Sequence, residues 1–411
     1  MISGTCVVAH DTAATWLMSI LSPSPFLLSL MSTVAALSFF LFTLPAGALA
    51  DRVDRRALVC FTNLFLASTA VALALFGWAR LLNPYLILGC VFFIGIGFAL
   101  HAPAWTSIVR QVLSDAELPS AATLGSLQLS ISGIIGPALG GLLVPLAGAN
   151  SVFAVNAACF LLVIAAILQW QPSPRPAKPP TESLLESFRT IVRYARNARG
   201  FQVVLARNFL FALFVSVIPA LMPVVGLKVL QLSSSHLGLL FTSLGTGSVI
   251  GAVFIVPRLR TRLSPDDLTF LANLLLVLVY LLMAFVRQTE AFFLVAGLAG
   301  IGWTMSASEL WVATQRMMPG WARGRMNATV IMISQGAMAI GGLISGFAGA
   351  IAGTRPTLLG AAVLFLASLI LTRRLSINFA GSLEEKVAGG AFSHLEHEAT
   401  LITNTRKLLT E

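Results

Sequence analysis

Charge is what this sequence has least of. Of 411 residues only 10% are Asp, Glu, Lys or Arg, against 57% hydrophobic, and the mean hydropathy is +0.89. A soluble domain carries about a quarter charged residues. This chain therefore cannot clothe its whole surface for water, and the bilayer is its solvent. No Gly-x-x-x-x-Gly-Lys-Ser/Thr loop occurs, so ATP bound by this chain is excluded as an energy source and ion gradients are left. Cysteine is scarce: Cys6, Cys60, Cys90 and Cys159 all lie in apolar stretches, none in a CxxC pair, and read as small hydrophobes rather than metal ligands or disulfides. With no metal-spaced His/Cys set and no Ser/His/Asp constellation in a wet context, neither an enzyme nor a metal or other cofactor is expected. The net charge of +10 would suggest nucleic acid in a soluble protein. Here the positive residues sit in short inter-helix loops, where membrane topology accounts for them, and no nucleic-acid partner is expected.

What the chain has in quantity is apolar runs of about twenty residues, the length that crosses a membrane as a helix. They cover residues 2–21, 26–50, 57–79, 83–104, 121–147 and 151–170, then 201–224, 236–256, 268–286, 291–313, 326–351 and 356–371. The expected fold is all-α, with twelve transmembrane helices in two six-helix halves. The first run has no basic flank and carries His10 and Asp11 inside it, so it reads as a membrane helix rather than a signal peptide.

Between the halves lies Gln171-Pro172-Ser173-Pro174-Arg175-Pro176-Ala177-Lys178-Pro179-Pro180, a Pro-rich basic linker. Residues 182–198 follow as an amphipathic helix at the membrane interface. The expected organisation is a first half at 1–170, a cytoplasmic linker with its helix at 171–200, a second half at 201–374 and a cytoplasmic tail at 375–411. With the loop around Arg52 placed inside, 21 Lys and Arg fall on cytoplasmic segments and 4 on outer ones, namely Arg80, Lys228, Arg287 and Arg355. Both termini are then cytoplasmic.

The loop Gly47-Ala48-Leu49-Ala50-Asp51-Arg52-Val53-Asp54-Arg55-Arg56 resembles motif A of the major facilitator superfamily. The resemblance implies a conformational latch of Gly47, Asp51, Arg52, Arg55 and Arg56. Gly47 would let two helices approach closely, and Asp51 would accept from neighbouring helix N-termini and arginines. Asp54 stands where the family has Gly. Residues 257–262, with Arg258, Arg260 and Arg262, form a second basic turn at the same place in the second half. In span five, Gly136, Pro137, Gly140 and Gly141 resemble the antiporter motif C, in which Pro removes a backbone hydrogen bond and glycines allow close packing, so that the helix can bend. In the family that motif accompanies export.

Residues 319–326, Pro-Gly-Trp-Ala-Arg-Gly-Arg-Met, together with Trp16-Leu17-Met18 and Ser22-Pro23-Ser24-Pro25, resemble the enterobactin-exporter-like or transmembrane secretion effector branch. Relative to that pattern the chain starts inside the first helix, which implies either an upstream start or a truncated relative. Many proton antiporters of the superfamily carry an arginine in span four at the position that is Val91 here.

Any coupling then falls on other intramembrane ionisable groups, which are costly and by default functional candidates. Asp11, roughly 15 Å below the outer end of span one, and Glu309 in span ten are the candidates for proton coupling. Glu309 has the alternative of pairing with Arg316 or Arg323. His10, His101 and Arg207 are the other ionisable groups in the spans. Trp16, Met18, Phe39, Phe211 and Trp303 are candidates for an apolar cavity. The expected function is proton-coupled export of small hydrophobic or amphipathic, drug- or siderophore-like molecules, by a monomer in the bacterial inner membrane working through alternating access. The alternatives are an uptake permease or facilitator of the same fold, and a non-transporting or truncated relative.

Overall fold

Each long apolar run becomes a helix, because in a bilayer only hydrogen bonds within the segment satisfy the backbone. The computed structural model describes residues 2–112, 117–169, 196, 198–318, 323–373 and 375–377; for a few helical residues, among them Asp51, Arg52, Arg323 and Arg325, it describes the backbone alone. The first half contains α1 (Ile2–Leu21), α2 (Pro25–Arg52), α3 (Arg55–Trp78), α4 (Pro84–Val112), α5 (Leu118–Ala147) and α6 (Ala149–Gln169). In the second half the seventh span is broken into α7 (Arg199–Val215), α8 (Val217–Val224) and a π-helical turn, Val225–Val229. The eighth is α9 (Ser234–Ile250), a π-helical turn at Gly251–Ile255 and α10 (Val256–Arg260). Then follow α11 (Pro265–Phe285), α12 (Thr289–Arg316), α13 (Arg323–Ile351) and α14 (Thr354–Thr372).

Among the described residues, 11 helices are long and apolar enough to cross a membrane. α1 falls outside that set because His10, Asp11 and its threonines dilute it, yet it packs against α5 and α6 as a full member of the bundle. The expected linker and the helix at 182–198 lie outside the described residues except Arg196 and Ala198, as do the tail beyond Ile377 and residues 319–322.

Local chemistry sets the helix ends. Asp54 caps α3, its Oδ1 accepting from the Ala57 N–H at 2.9 Å. Ser233 and Ser264 cap α9 and α11 in the same way. Gly148 (φ +81°) joins α5 to α6, and Gly353 (φ +91°) joins α13 to α14. The two left-handed turns sit at the same place in each half, between fifth and sixth spans, as an internal repeat requires. The expected basic turn at 257–262 differs: Arg258 and Arg260 lie within α10, so the eighth span runs on past Val256.

The halves meet along two helix pairs, α2 against α13 and α5 against α9. Small residues make both contacts close. Cβ atoms built on Gly346 and Gly342 of α13 collide with Ser29 and Thr33 of α2, and one on Gly238 of α9 collides with the Pro137 carbonyl and Gly141 of α5. Phe26 and Phe347 meet edge to face at 6.2 Å near the ends of α2 and α13 that lie away from the α2–α3 turn.

Candidate functional site

A cavity of about 510 Å³ lies between the halves at membrane depth, lined from α1, α5, α9, the π-helical turn after α9, and α12. Its wall is mostly small or apolar: Val8, Thr12 and Thr15, Gly133 and Pro137, Phe241, Gly245 and Ser248, and Thr304. Asp11 is the acid in that wall, and its side chain is open to the cavity. Among the described residues no donor bonds its carboxylate. A carboxylate at this depth without a protein partner is open to a proton or a cationic group.

Motif C places this wall. A Cβ on Gly140 comes within 2.6 Å of the Ala9 carbonyl oxygen, and one on Gly136 within 2.9 Å of the Thr5 carbonyl. Gly141 faces the other way, with a built Cβ 2.7 Å from the Ser234 carbonyl of α9. The glycines thus let α5 touch α1 at Thr5 and Ala9, shortly before Asp11, and α9 of the other half at once. α5 remains one continuous helix through Pro137 and Pro145. Thr242 of α9 donates to the Ile134 carbonyl at 2.9 Å across the same seam.

The other ionisable candidates are placed elsewhere. Glu309 is buried and accepts from Nε of Arg260 at 2.6 Å. Its partner among the described side chains is Arg260 rather than Arg316, the Arg323 side chain lies outside the described ones, and Glu309 does not line the cavity. His10 is buried against α6, 4.6 Å from the Phe153 ring, with neither ring nitrogen hydrogen-bonded among the described residues. It points away from the cavity because successive helical side chains diverge by about 100°. His101 Nδ1 lies 3.3 Å from both Thr62 Oγ1 and Asn63 Nδ2, and its ring stacks on Trp105. Arg207 pairs with Asp266 and donates to the Leu375 carbonyl at 2.9 Å.

Of the motif A residues, the side chains of Asp51 and Arg52 lie outside the described ones. Arg56 donates through Nε to the Ile167 carbonyl at 3.2 Å and through Nη2 to that of Leu168, closing the C-terminus of α6. Around Gly47 the expected close approach is absent among the described residues: a built Cβ meets nothing within 4 Å.

None of Trp16, Met18, Phe39, Phe211 and Trp303 lines this cavity. Met18 and Phe211 are buried in the main core, and Trp16 and Trp303 pack against it. Large side chains fill space between helices, so the cavity remains where side chains are small. Thr12, Thr15 and Gly133 were legible only as small or polar residues on the helices that also carry Asp11 and motif C, and Gly245, Ser248 and Thr304 only as small or polar residues of the second half.

A family model described as transmembrane secretion effector matches residues 1–398. The chain belongs to the transmembrane secretion effector family. It is thus a transporter of the major facilitator superfamily and a multi-pass membrane protein. This chain is 22% identical to macrolide efflux protein A of Streptococcus pyogenes over 234 residues, covering 56% of this chain and 58% of that protein. It therefore spans less than two thirds of that relative's length. Among solved structures, a bacterial homologue of the human lysosomal transporter Spinster superimposes with a TM-score of 0.72 at 14% identity, covering 93% of this chain and 97% of the other. A D-xylose–proton symporter does so with 0.71 at 14% identity and the same coverage. These two likenesses bear on the fold alone.

Proposed function

We propose that this transporter exports small hydrophobic or amphipathic molecules across the bacterial inner membrane by alternating access, as a monomer, in exchange for protons carried by Asp11. One observation carries the reading: Asp11 opens, without a protein partner among the described residues, into a cavity shared by both halves. Its volume of about 510 Å³ falls within the range of about 300–1,000 Å³ usual for small-molecule sites. The apolar wall favours apolar substrates, and the carboxylate favours those with a positive charge. Similarity to a macrolide efflux protein and the Gly-Pro-x-x-Gly-Gly helix support export over uptake. The α2–α3 turn, with Arg52, Arg55 and Arg56, is on the cytoplasmic side, and the Phe26–Phe347 end of the seam is on the outer side.

Inverted membrane vesicles test this. With an inward proton-pumping substrate supplied, vesicles bearing the protein should accumulate a radiolabelled macrolide or ethidium, and a protonophore should release it. Gradient-independent levels equal to those of empty vesicles across such a panel would exclude proton-driven export of these molecules.

A further inference from the structure

The two halves are joined near the outer face by one long basic side chain. Lys228 lies in the π-helical turn Val225–Val229 at the end of the seventh span. Its Nζ donates to the Ser19 carbonyl at 2.7 Å and to the Ser22 carbonyl at 2.8 Å, both at the C-terminus of α1 in the other half. The last carbonyls of a helix have no intrahelical donors and carry the negative end of its dipole, so an ammonium group is a matched cap.

Two local features place it there. The π-helical turn follows Pro223 and shifts the helical phase, which changes where Lys228 points relative to a continuous α-helix. On the accepting side, Ser22 is followed by Pro23 and Pro25, which have no backbone N–H with which to satisfy those carbonyls. The contrast with Arg56 is informative. Arg56 closes α6 from within its own half, a bond that survives if the halves rock as rigid bodies. The Lys228 bonds cross between halves and do not survive separation on that side. α1 is also the helix that carries Asp11, and Ser19 lies eight residues beyond it, ~12 Å along the axis.

We propose that Lys228 is a positioning residue of the transport cycle, an outer latch that keeps the outer mouth closed by capping α1 and must release it before the cavity opens outward. This rests on the alternating-access reading above. It makes α1 the mechanical link between the cavity carboxylate and the outer closure.

The test uses full-length protein in intact cells, with the four native cysteines replaced by Ala and Ser130→Cys placed in the cavity wall. A membrane-impermeant cationic methanethiosulfonate added outside reads how often the cavity opens outward. Lys228→Met should raise the labelling rate about tenfold, the equivalent of ~1.4 kcal/mol, and lower labelling from the inside in inverted vesicles. Lys228→Arg, which keeps the donors, should restore slow outer labelling. If Lys228→Met does not reach the membrane, Lys228→Gln is read in the same way. An unchanged outer rate in the apolar or amide variant, or an Arg variant that labels like Met, overturns the latch. Labelling needs neither a transported molecule nor a gradient. Its failure therefore leaves the export reading standing, and loss of export with an intact labelling response does the reverse.

Discussion

Glu309 of α12 accepts a hydrogen bond from Arg260 of α10 at 2.6 Å, with the carboxylate side chain 4% exposed and the arginine 42% exposed. The pair stays within the second half and holds the end of the eighth span against the tenth. That geometry gives Glu309 a protein partner, whereas Asp11 has none among the described residues.

The unequal burial makes the two truncations unequal. Arg260→Ala strands a buried carboxylate and should cost about 3 kcal/mol of stability. Glu309→Gln leaves a half-exposed arginine that water can solvate, and should cost less. Thermal unfolding of the purified protein in detergent checks the order, and Glu309→Gln should keep whatever gradient dependence the transport has. A larger loss for Glu309→Gln would contradict the assignment.

The motif C glycines should be unequal too. In Gly140→Ala the methyl group meets the Ala9 carbonyl oxygen at 2.6 Å, and backbone cannot move aside cheaply. α1 must then shift two residues before Asp11, and transport should fall at least tenfold, about 1.4 kcal/mol in the barrier. Gly125→Ala, also in α5, meets nothing within 4 Å. It should leave transport unchanged and raise stability by about 0.5–1 kcal/mol through helix propensity.

Asp54 tests why this chain departs from the motif A pattern. The residue caps α3 at ordinary φ −55°, so glycine's conformational freedom is not needed there. Asp54→Ala should cost about 1 kcal/mol, and Asp54→Gly, the residue of the family pattern, only a few tenths. Chemical or thermal unfolding of the three proteins distinguishes them.

Asp266 fastens the segment after the last helix. It pairs with Arg207, accepts from the Ser376 hydroxyl, and accepts from the Ile377 N–H at 2.9 Å, while Ile377 is buried. Asp266→Ala should destabilise by about 2 kcal/mol, because it leaves Arg207 without its carboxylate. The double variant with Arg207→Ala should be clearly less than additive. Limited proteolysis should also cut after Arg373 sooner in Asp266→Ala than in the parent.

The helices and their number were legible because hydropathy over twenty residues is a strong signal and the bilayer permits little else. Motif A and motif C were legible as spacing. The partners of single residues were not. Glu309 could be read as pairing with Arg316 or Arg323, which are near it in sequence, whereas Arg260 reaches it only because the π-helical turn and α10 carry the eighth span back toward α12. The bulky cavity candidates do not line this cavity: Met18 and Phe211 are packed in the core, and the open space is bounded in part by Thr12, Gly133 and Ser248, whose small side chains carry no signal of a binding wall in the sequence. Lys228 was visible only as one of four basic residues expected on the outer side, since its partners are backbone carbonyls of the other half and a carbonyl leaves no mark in a sequence.

The central claim is that Asp11 carries the coupling proton, and the most direct measurement is proton-driven transport in proteoliposomes made with the parent and with Asp11→Asn. Imposing a pH gradient should drive accumulation of a radiolabelled macrolide or ethidium by the parent and release protons from the opposite side. Asp11→Asn should show neither movement, while Asp11→Glu, which keeps a carboxyl, should retain part of both. Gradient-driven transport by Asp11→Asn at the parental rate would contradict the account.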